Sequence, residues 1–264
     1  MPSPVYVPEL SVVIPARGHH LGMNATLDLV RAAWPDIEIL VVTDTVVRGP
    51  TAADVRRYAL AVDSRVRLLD LPCDKATAVR HGLAQATGKV LAYLDADHGW
   101  EASPDDLRAM TRRIIAGEAD CLVAERAQQG WSRTRKLKTN GFIALTRVLF
   151  PRLPVRDTQT PLKVMNRRAA DLLLARASWR SWAFDVELLH LLQRFGHRVA
   201  AHPVQWAGQG GELPWASAVL IALMAPGMIR GLMATRLRNS VMRSRARHHM
   251  TFPGVNGSGG DSSA

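Results

Sequence analysis

Two carboxylates one residue apart close a short apolar run: Asp95-Ala96-Asp97 follows Val90–Leu94. A run of that length reads as a buried strand, which puts the pair at a strand's carboxyl end. There both side chains can converge on a hard divalent cation that bridges diphosphate oxygens. With 16 aspartates in 264 residues about one D-x-D arises by chance, and the tripeptide alone also fits a turn with solvated acids. Its position at the end of a strand favours the metal. Other acids stand out by place. Asp44 follows a second apolar run and either caps the next element or faces a ligand. Asp157 is the single acid among 11 basic residues between Arg126 and Arg168, so it is either an internal ion pair or a working group. Asp185 and Glu187 begin a helical stretch, where the dipole by itself favours a negative charge.

The elements that must hold these residues alternate. Short apolar runs at Leu10–Ile14, Ile37–Val42, Val66–Leu69, Val90–Leu94 and Cys121–Ala124 suit strands. Between them lie stretches of helical length, Asn24–Ala33, Ala52–Val62, Lys75–Ala86 and Asp105–Ala116, the last opened by Ser103 as cap and Pro104 in the first turn. Such alternation predicts an α/β fold with a mostly parallel sheet covered by helices on both faces. Ligands then bind beyond the carboxyl ends of the strands. Later the spacing predicts a helix through Arg133–Phe150, an irregular segment Asp157–Asn166, helices near Arg167–Ala177 and Phe184–Phe195 (closed by Gly196), and a strand in His197–Trp206.

The 264 residues, 47% hydrophobic and 22% charged, exclude a disordered or fibrous chain. The net charge of +11 is uneven: residues 1–100 carry 10 basic and 11 acidic side chains, residues 101–264 carry 24 and 12. The positive field therefore belongs to the second part and invites an anionic partner. No nucleic-acid module accompanies it, so a phosphorylated substrate or anionic lipid is the expected partner and no nucleic acid is. Cys73 and Cys121 are too few for a disulfide framework, the nine histidines show no ligand spacing, and Trp179 and Trp182 read as core. Met1–Glu9 lacks the basic and apolar segments of a signal peptide, so a cytoplasmic location is expected.

Several segments together carry a resemblance. Leu10-Ser-Val-Val-Ile-Pro15, Lys75-Ala-Thr-Ala-Val-Arg80-His-Gly82, Ala86-Thr-Gly88 and Val90 to Asp97 look like the opening half of family 2 glycosyltransferases. Asp157-Thr-Gln-Thr-Pro-Leu-Lys163, Trp182-Ala-Phe-Asp-Val-Glu-Leu-Leu189, Gly196 and Pro203-Val-Gln-Trp206 resemble its polyprenyl-phosphate branch, the dolichyl-phosphate glucosyltransferases and mannosyltransferases. The match runs through residues 10–240 in order. It implies a GT-A (nucleotide-diphospho-sugar transferase) fold over 1–210, a nucleotide-sugar donor held through Mg2+ or Mn2+, inversion at the anomeric carbon, and a polyprenyl phosphate acceptor. Carried over by position, Asp95 and Asp97 hold the metal. Pro15, Asp44 and Lys75 lie with them against the donor, Arg133 and Arg135 bind the acceptor phosphate, and Asp157 borders the reaction centre. Asp185 stands where members that use hydroxyl acceptors carry their catalytic base. Two alternatives remain: a relative acting on a soluble hydroxyl acceptor, and a non-catalytic anion- or membrane-binding protein on the same fold.

This chain departs from the family at three turns. Ala16-Arg17-Gly18-His19 and Thr43-Asp44-Thr45-Val46 replace the usual nucleotide-contact residues, and Thr160-Pro161-Leu162 puts a proline where a glycine is usual. Finally, Trp215–Ala234 is apolar but broken by Pro226, Gly227 and Arg230, and arginines follow at 236, 238, 243, 245 and 247. Residues 211–250 are expected to form amphipathic helices lying peripherally on an anionic membrane surface rather than spanning it, and 251–264 to be a disordered tail.

Overall fold

The computed structural model describes residues 7–16, 23–46, 51–96, 103–127, 131–160, 162–179, 184–204, 229–234 and 236–237. Strands β1 (Leu10–Ala16), β2 (Ile37–Asp44), β3 (Val66–Leu71) and β4 (Val90–Tyr93) alternate with helices α1 (Met23–Ala33), α2 (Thr51–Ala61) and α3 (Lys75–Gln85). Then follow α4 (Pro104–Ile115), β5 (Cys121–Arg126), α5 (Arg133–Leu149), β6 (Lys163–Asn166), α6 (Arg167–Arg176), α7 (Phe184–Arg194) and β7 (Val199–Val204). The seven strands form one sheet in the order β3-β2-β1-β4-β6-β5-β7.

Alternation along each strand sorts the core into two layers. Val12 and Ile14 of β1 meet Met23 and Leu27 of α1, Val55 of α2, and Leu107 and Met110 of α4. Val13 faces the other way, with Val79 and Leu83 of α3, Leu173 of α6 and Leu188 of α7. A period of two in the strands therefore separates α1, α2 and α4 from α3, α6 and α7. Ser103 caps α4 through a reciprocal box with Asp106, with Pro104 first in the helix, as its sequence predicts. Gly196 ends α7 at φ 80°, a conformation that costs an L side chain energy.

One segment differs from expectation. Asp157–Asn166 was expected to be irregular throughout, but its last four residues are β6, which pairs antiparallel with both β4 and β5. A strand this short, opened by a lysine that interrupts its apolar residues, carries too weak a pattern to announce it; neighbours on both sides define it. Of the strand expected in His197–Trp206, Val199–Val204 is β7, and residues 205 and 206 lie outside the described residues.

The Ala86-Thr87-Gly88 turn turns out to lock the amino ends of the strands. Buried Glu38 accepts hydrogen bonds from Ser11 Oγ (2.6 Å), Thr87 N (2.8 Å) and Arg67 (2.8 Å). Burial pushes that carboxyl up, but these donors outweigh it and hold it below its usual range. Gly88 donates its N–H to Ser11 Oγ at 2.8 Å, and a Cβ there would stand 2.7 Å from the Ser11 nitrogen.

Helix α3 approaches β1 just as closely. A Cβ on Gly82 would come within 2.3 Å of Val13 Cγ1, and valine has no other rotamer to retreat to in a packed strand. Gly82→Ala is therefore expected to destabilise the protein by about 1–3 kcal/mol. Gly141, inside α5, has nothing within 4 Å of the same position. Gly141→Ala should stabilise by about 0.5–1 kcal/mol. Urea midpoints of the two variants, which should move in opposite directions, check the account.

Candidate active site

The carboxyl ends of β1 to β5 and β7 share one edge of the sheet, and the antiparallel β6 begins there. Tyr93, last in β4, is paired in register with Lys163, first in β6. By alternation Tyr93 and Asp95 face the α3, α6 and α7 layer, as does Lys163, because Val164 next to it faces the opposite layer. Two helices aim their first turns at the same place: α3 opens with Lys75, and α7 opens with Phe184 and Asp185.

The result is two adjacent ion pairs. Lys75 Nζ lies 2.6 Å from Asp95 Oδ1 and donates to Oδ2 at 2.8 Å. Lys163 Nζ lies 2.7 Å from Asp185 Oδ1 and donates to the Thr160 carbonyl at 2.8 Å. Tyr93 donates its hydroxyl to the same Asp185 Oδ1 at 2.6 Å. The Lys163 side chain is 1% exposed and that of Asp185 4%, so neither charge is shared with bulk water. Burial, with the Asp185 carboxylate beside it, pushes the Tyr93 phenol well above its ordinary range, so it remains a donor. Burial also pushes the Asp95 carboxyl up, while the Lys75 ammonium pulls it back down.

A divalent cation fits the donor set at Asp95. Its Oδ1 is buried and faces the Lys75 ammonium at 2.6 Å, and a small hard cation, which commonly takes one or two carboxylates plus substrate phosphates, could take that ammonium's place. No cluster of three or more acidic, histidine or cysteine side chains occurs among the described residues. Asp97, the second expected ligand, lies outside them.

The other expected residues divide. Pro15 is near the end of β1, and Asp44 ends β2 on the same edge. Asp44 Oδ1 accepts from the N–H of Val46 (2.9 Å) and of Cys73 (3.4 Å), so it also ties the β2 and β3 turns together. Asp157 is buried and receives Arg126 Nη2 at 2.5 Å and Nε at 3.0 Å, an internal ion pair. The pair lines a cavity of about 230 Å3 with Glu125, Ile143 and Arg156. Arg126 also lies over the Trp131 ring at 5.2 Å, which brings the start of α5 to this edge. Arg133, first in α5, is exposed; the Arg135 side chain, Pro161 and Trp182 lie outside the described residues. Glu187 is buried and accepts from Ser178 N and Oγ (3.1 and 2.5 Å), so it clasps the turn before α7.

The sequence alone assigns no role to Lys163, Tyr93 or Arg126. Lys163 carried a usable signal: a lysine between Leu162 and Val164, followed by Met165, is a charge inside an apolar stretch that must find a buried partner. Beside Asp157, Thr158 Oγ1, Gln159 Nε2 and Thr160 Oγ1 are buried and take no hydrogen bond among the described residues. Such groups cost about 1–3 kcal/mol each when left unmet, which marks this segment as one built for a polar ligand or water.

Known proteins resemble this chain in sequence and in fold. The model for glycosyl transferase family 2 matches residues 11–174, well over half of the chain. Glycosyltransferase AglD of Haloferax volcanii is 29% identical over 76% of this chain, which spans only 34% of AglD. A dolichyl-phosphate beta-glucosyltransferase of Dictyostelium discoideum is 26% identical over 81% of this chain and 71% of its own. Among solved structures, glucosyl-3-phosphoglycerate synthase of Mycobacterium tuberculosis, in complex with Mn2+, UDP and phosphoglyceric acid, superimposes with a TM-score of 0.64 at 18% identity, covering 88% of this chain and 78% of that one. The shared architecture is the GT-A fold.

Because burial makes the Asp95 charge costly, Asp95→Asn should melt higher than the parent in the absence of metal. Any further rise on adding Mn2+ with UDP to the parent should vanish in the variant. Differential scanning fluorimetry of both proteins, with and without the additions, reads the two effects separately.

Proposed function

The chain belongs to glycosyl transferase family 2, and from that premise we propose that it moves a hexose from a nucleotide diphosphate to a polyprenyl monophosphate, with inversion, at the cytoplasmic face of a membrane. What supports the acceptor class is the alignment over four-fifths of this chain with dolichyl-phosphate beta-glucosyltransferases. A single feature of the site supports it independently: Asp185, the carboxylate placed to act as a base, is already engaged by Lys163 and Tyr93. A hydroxyl acceptor has to lose a proton as it attacks, and a general base there contributes about 10²–10⁴ in rate. A phosphate monoester is already ionised near neutral pH, so its oxygen attacks without one.

In this reading Asp95 and Asp97 hold a Mg2+ or Mn2+ ion, whose charge offsets that on the departing diphosphate. Lys75, hydrogen-bonded to Asp95 at the start of α3, stands where it can exchange that contact for a donor phosphate. Pro15 and Asp44 border the nucleotide from the ends of β1 and β2. The basic surface from Arg126 onward, with Arg133 and Arg135 at the start of α5, orients the acceptor phosphate so that its oxygen meets the anomeric carbon opposite the leaving group. The Arg126 and Asp157 pair fixes the wall of the cavity beside it. The two hydroxyls of Thr158 and Thr160 suit a polyol substrate nearby.

Peripheral attachment has support in the last described segment. Residues 229–234 and 236–237 are helical, with Leu232 buried against Phe150 and Val186. Ile229, Met233 and Leu237, four residues apart, are exposed along one side, with Arg230 and Arg236 exposed as well. An apolar stripe flanked by arginines suits the boundary of an anionic bilayer. No helix among the described residues is long and apolar enough to cross a membrane.

The deciding measurement incubates the protein and membranes with labelled UDP- and GDP-sugars and counts chloroform-extractable product. A metal-dependent lipid product with one donor is expected, and Asp97→Ala should lower it at least about 10²-fold, since several kcal/mol of charge stabilisation would go. Label that stays in the aqueous phase with every donor refutes the lipid acceptor.

Acceptor recognition has its own test. A guanidinium offers parallel donors that an ammonium does not. Arg135→Lys is therefore expected to raise the KM for polyprenyl phosphate about tenfold, the equivalent of about 1.4 kcal/mol, and to leave the KM for donor unchanged. Equal changes in both constants would place Arg135 elsewhere.

A further inference from the structure

A buried carboxylate next to a sugar-transfer site is a hazard. Asp185 is close enough to Asp95 for its charge to be felt there, and the contacts from Lys163 and Tyr93 both fall on its Oδ1. Water that reached it could be activated. The balanced side reaction is simple: a water oxygen bonds to the anomeric carbon, Asp185 takes the water proton, and the nucleotide diphosphate leaves with the electron pair of the broken C–O bond. The donor would be wasted.

What stands against this is Lys163. Its Nζ is 2.7 Å from Asp185 Oδ1, and it also donates to the Thr160 carbonyl, a neutral group. The Tyr93 ring lies 5.1 Å below the ammonium. If Asp185 took up a proton, Lys163 would be left as a buried cation with no anion in contact, and an unpaired buried charge is among the costliest arrangements in a protein interior. The backbone enforces the meeting. Lys163 is pinned in register opposite Tyr93, and Asp185 is in the first turn of α7, so neither can turn away without breaking β6 or the helix start.

We propose that Lys163 is a positioning residue that sets acceptor specificity: by binding Asp185 it withholds that carboxylate from service as a general base, so acceptors that arrive ionised are used while water and hydroxyls are not. The inference rests on the transferase reading above. It adds a residue and a purpose: the lysine protects the donor.

The test measures two products from one reaction, free glucose and glucosyl lipid, using UDP-glucose with Mn2+ and polyprenyl phosphate in detergent. In Lys163→Met the ratio of hydrolysis to transfer should rise at least about tenfold, a part of what a general base supplies. In Lys163→Met with Asp185→Asn the ratio should return to the parent value, because the liberated carboxylate is gone. A merely structural lysine would lower both products together and leave the ratio unmoved. Circular dichroism and melting check each variant; should Lys163→Met fail to fold, Tyr93→Phe removes the other donor to the same oxygen with little change of shape. That variant should raise the ratio a few-fold. Parent transfer with an unchanged ratio in the variants, or a raised ratio that persists in the double variant, overturns this inference alone. A parent that turns over no donor, UDP- or GDP-linked, overturns the transferase reading together with it.

Discussion

A lysine ammonium that is 1% exposed has to be neutralised where it stands, and around Lys163 that requirement organises the catalytic edge. Its partner must be an anion on the α3, α6 and α7 layer, which obliges α7 to begin beside the sheet with Asp185 in its first turn. The helix dipole favours a carboxylate there. Tyr93 then meets the same oxygen from β4, and its ring faces Phe184 at 6.4 Å, with Trp179 stacked beyond at 6.4 Å. Glu187, one step along the helix, clasps Ser178 and holds the turn that leads in. Removing either charge alone leaves the other uncompensated, so the pair specifies how α7 docks whatever its net contribution to stability.

The antiparallel β6 is what delivers that lysine. A sixth strand running parallel would bring its carboxyl end to this edge; running antiparallel, it brings its first residue, directly from the Asp157–Thr160 segment. Two lengths of chain with different tasks are thereby adjacent. Asp157 borders the cavity beside Arg126, and six residues later Lys163 sits beside the Asp95 site. The donor half (β1 to β4) and the basic second half of the chain meet at the register between Tyr93 and Lys163.

Much of this was legible in the sequence, for stated physical reasons. Parallel strands buried on both faces leave apolar runs, so β1, β2, β4 and β5 could be placed within about two residues. Ser103 with Pro104 marked a helix start by chemistry alone. Asp95 was legible because it terminates an apolar run. The Asp157 ion pair was one of two readings its setting allowed, and only three dimensions could name Arg126 as the partner. Hidden altogether was β6, whose four residues gain their strand character from pairing on two sides, and with it the convergence of Lys163, Asp185 and Tyr93, which are 22 and 92 residues apart in the chain from Asp185. Periodicity reports local burial. It does not report which buried charges will share an oxygen.

The two ion pairs at the edge differ in a way that matches their separate tasks. Lys75 and Asp95 are partly open, at 37% and 26% side-chain exposure, so water can take over either charge when the contact is exchanged. Lys163 and Asp185 have no such recourse. Burial works against the charge on Asp95 even with Lys75 beside it, and in the proposed function this carboxylate trades that ammonium for a divalent ion and phosphates. An exchangeable pair next to a fixed one divides the edge into a place where ligands come and go and a wall that keeps its charge. For the proposed transfer to a lipid phosphate, sparing the donor from water is the task assigned to that fixed wall, and in this fold the wall depends on the direction of one four-residue strand.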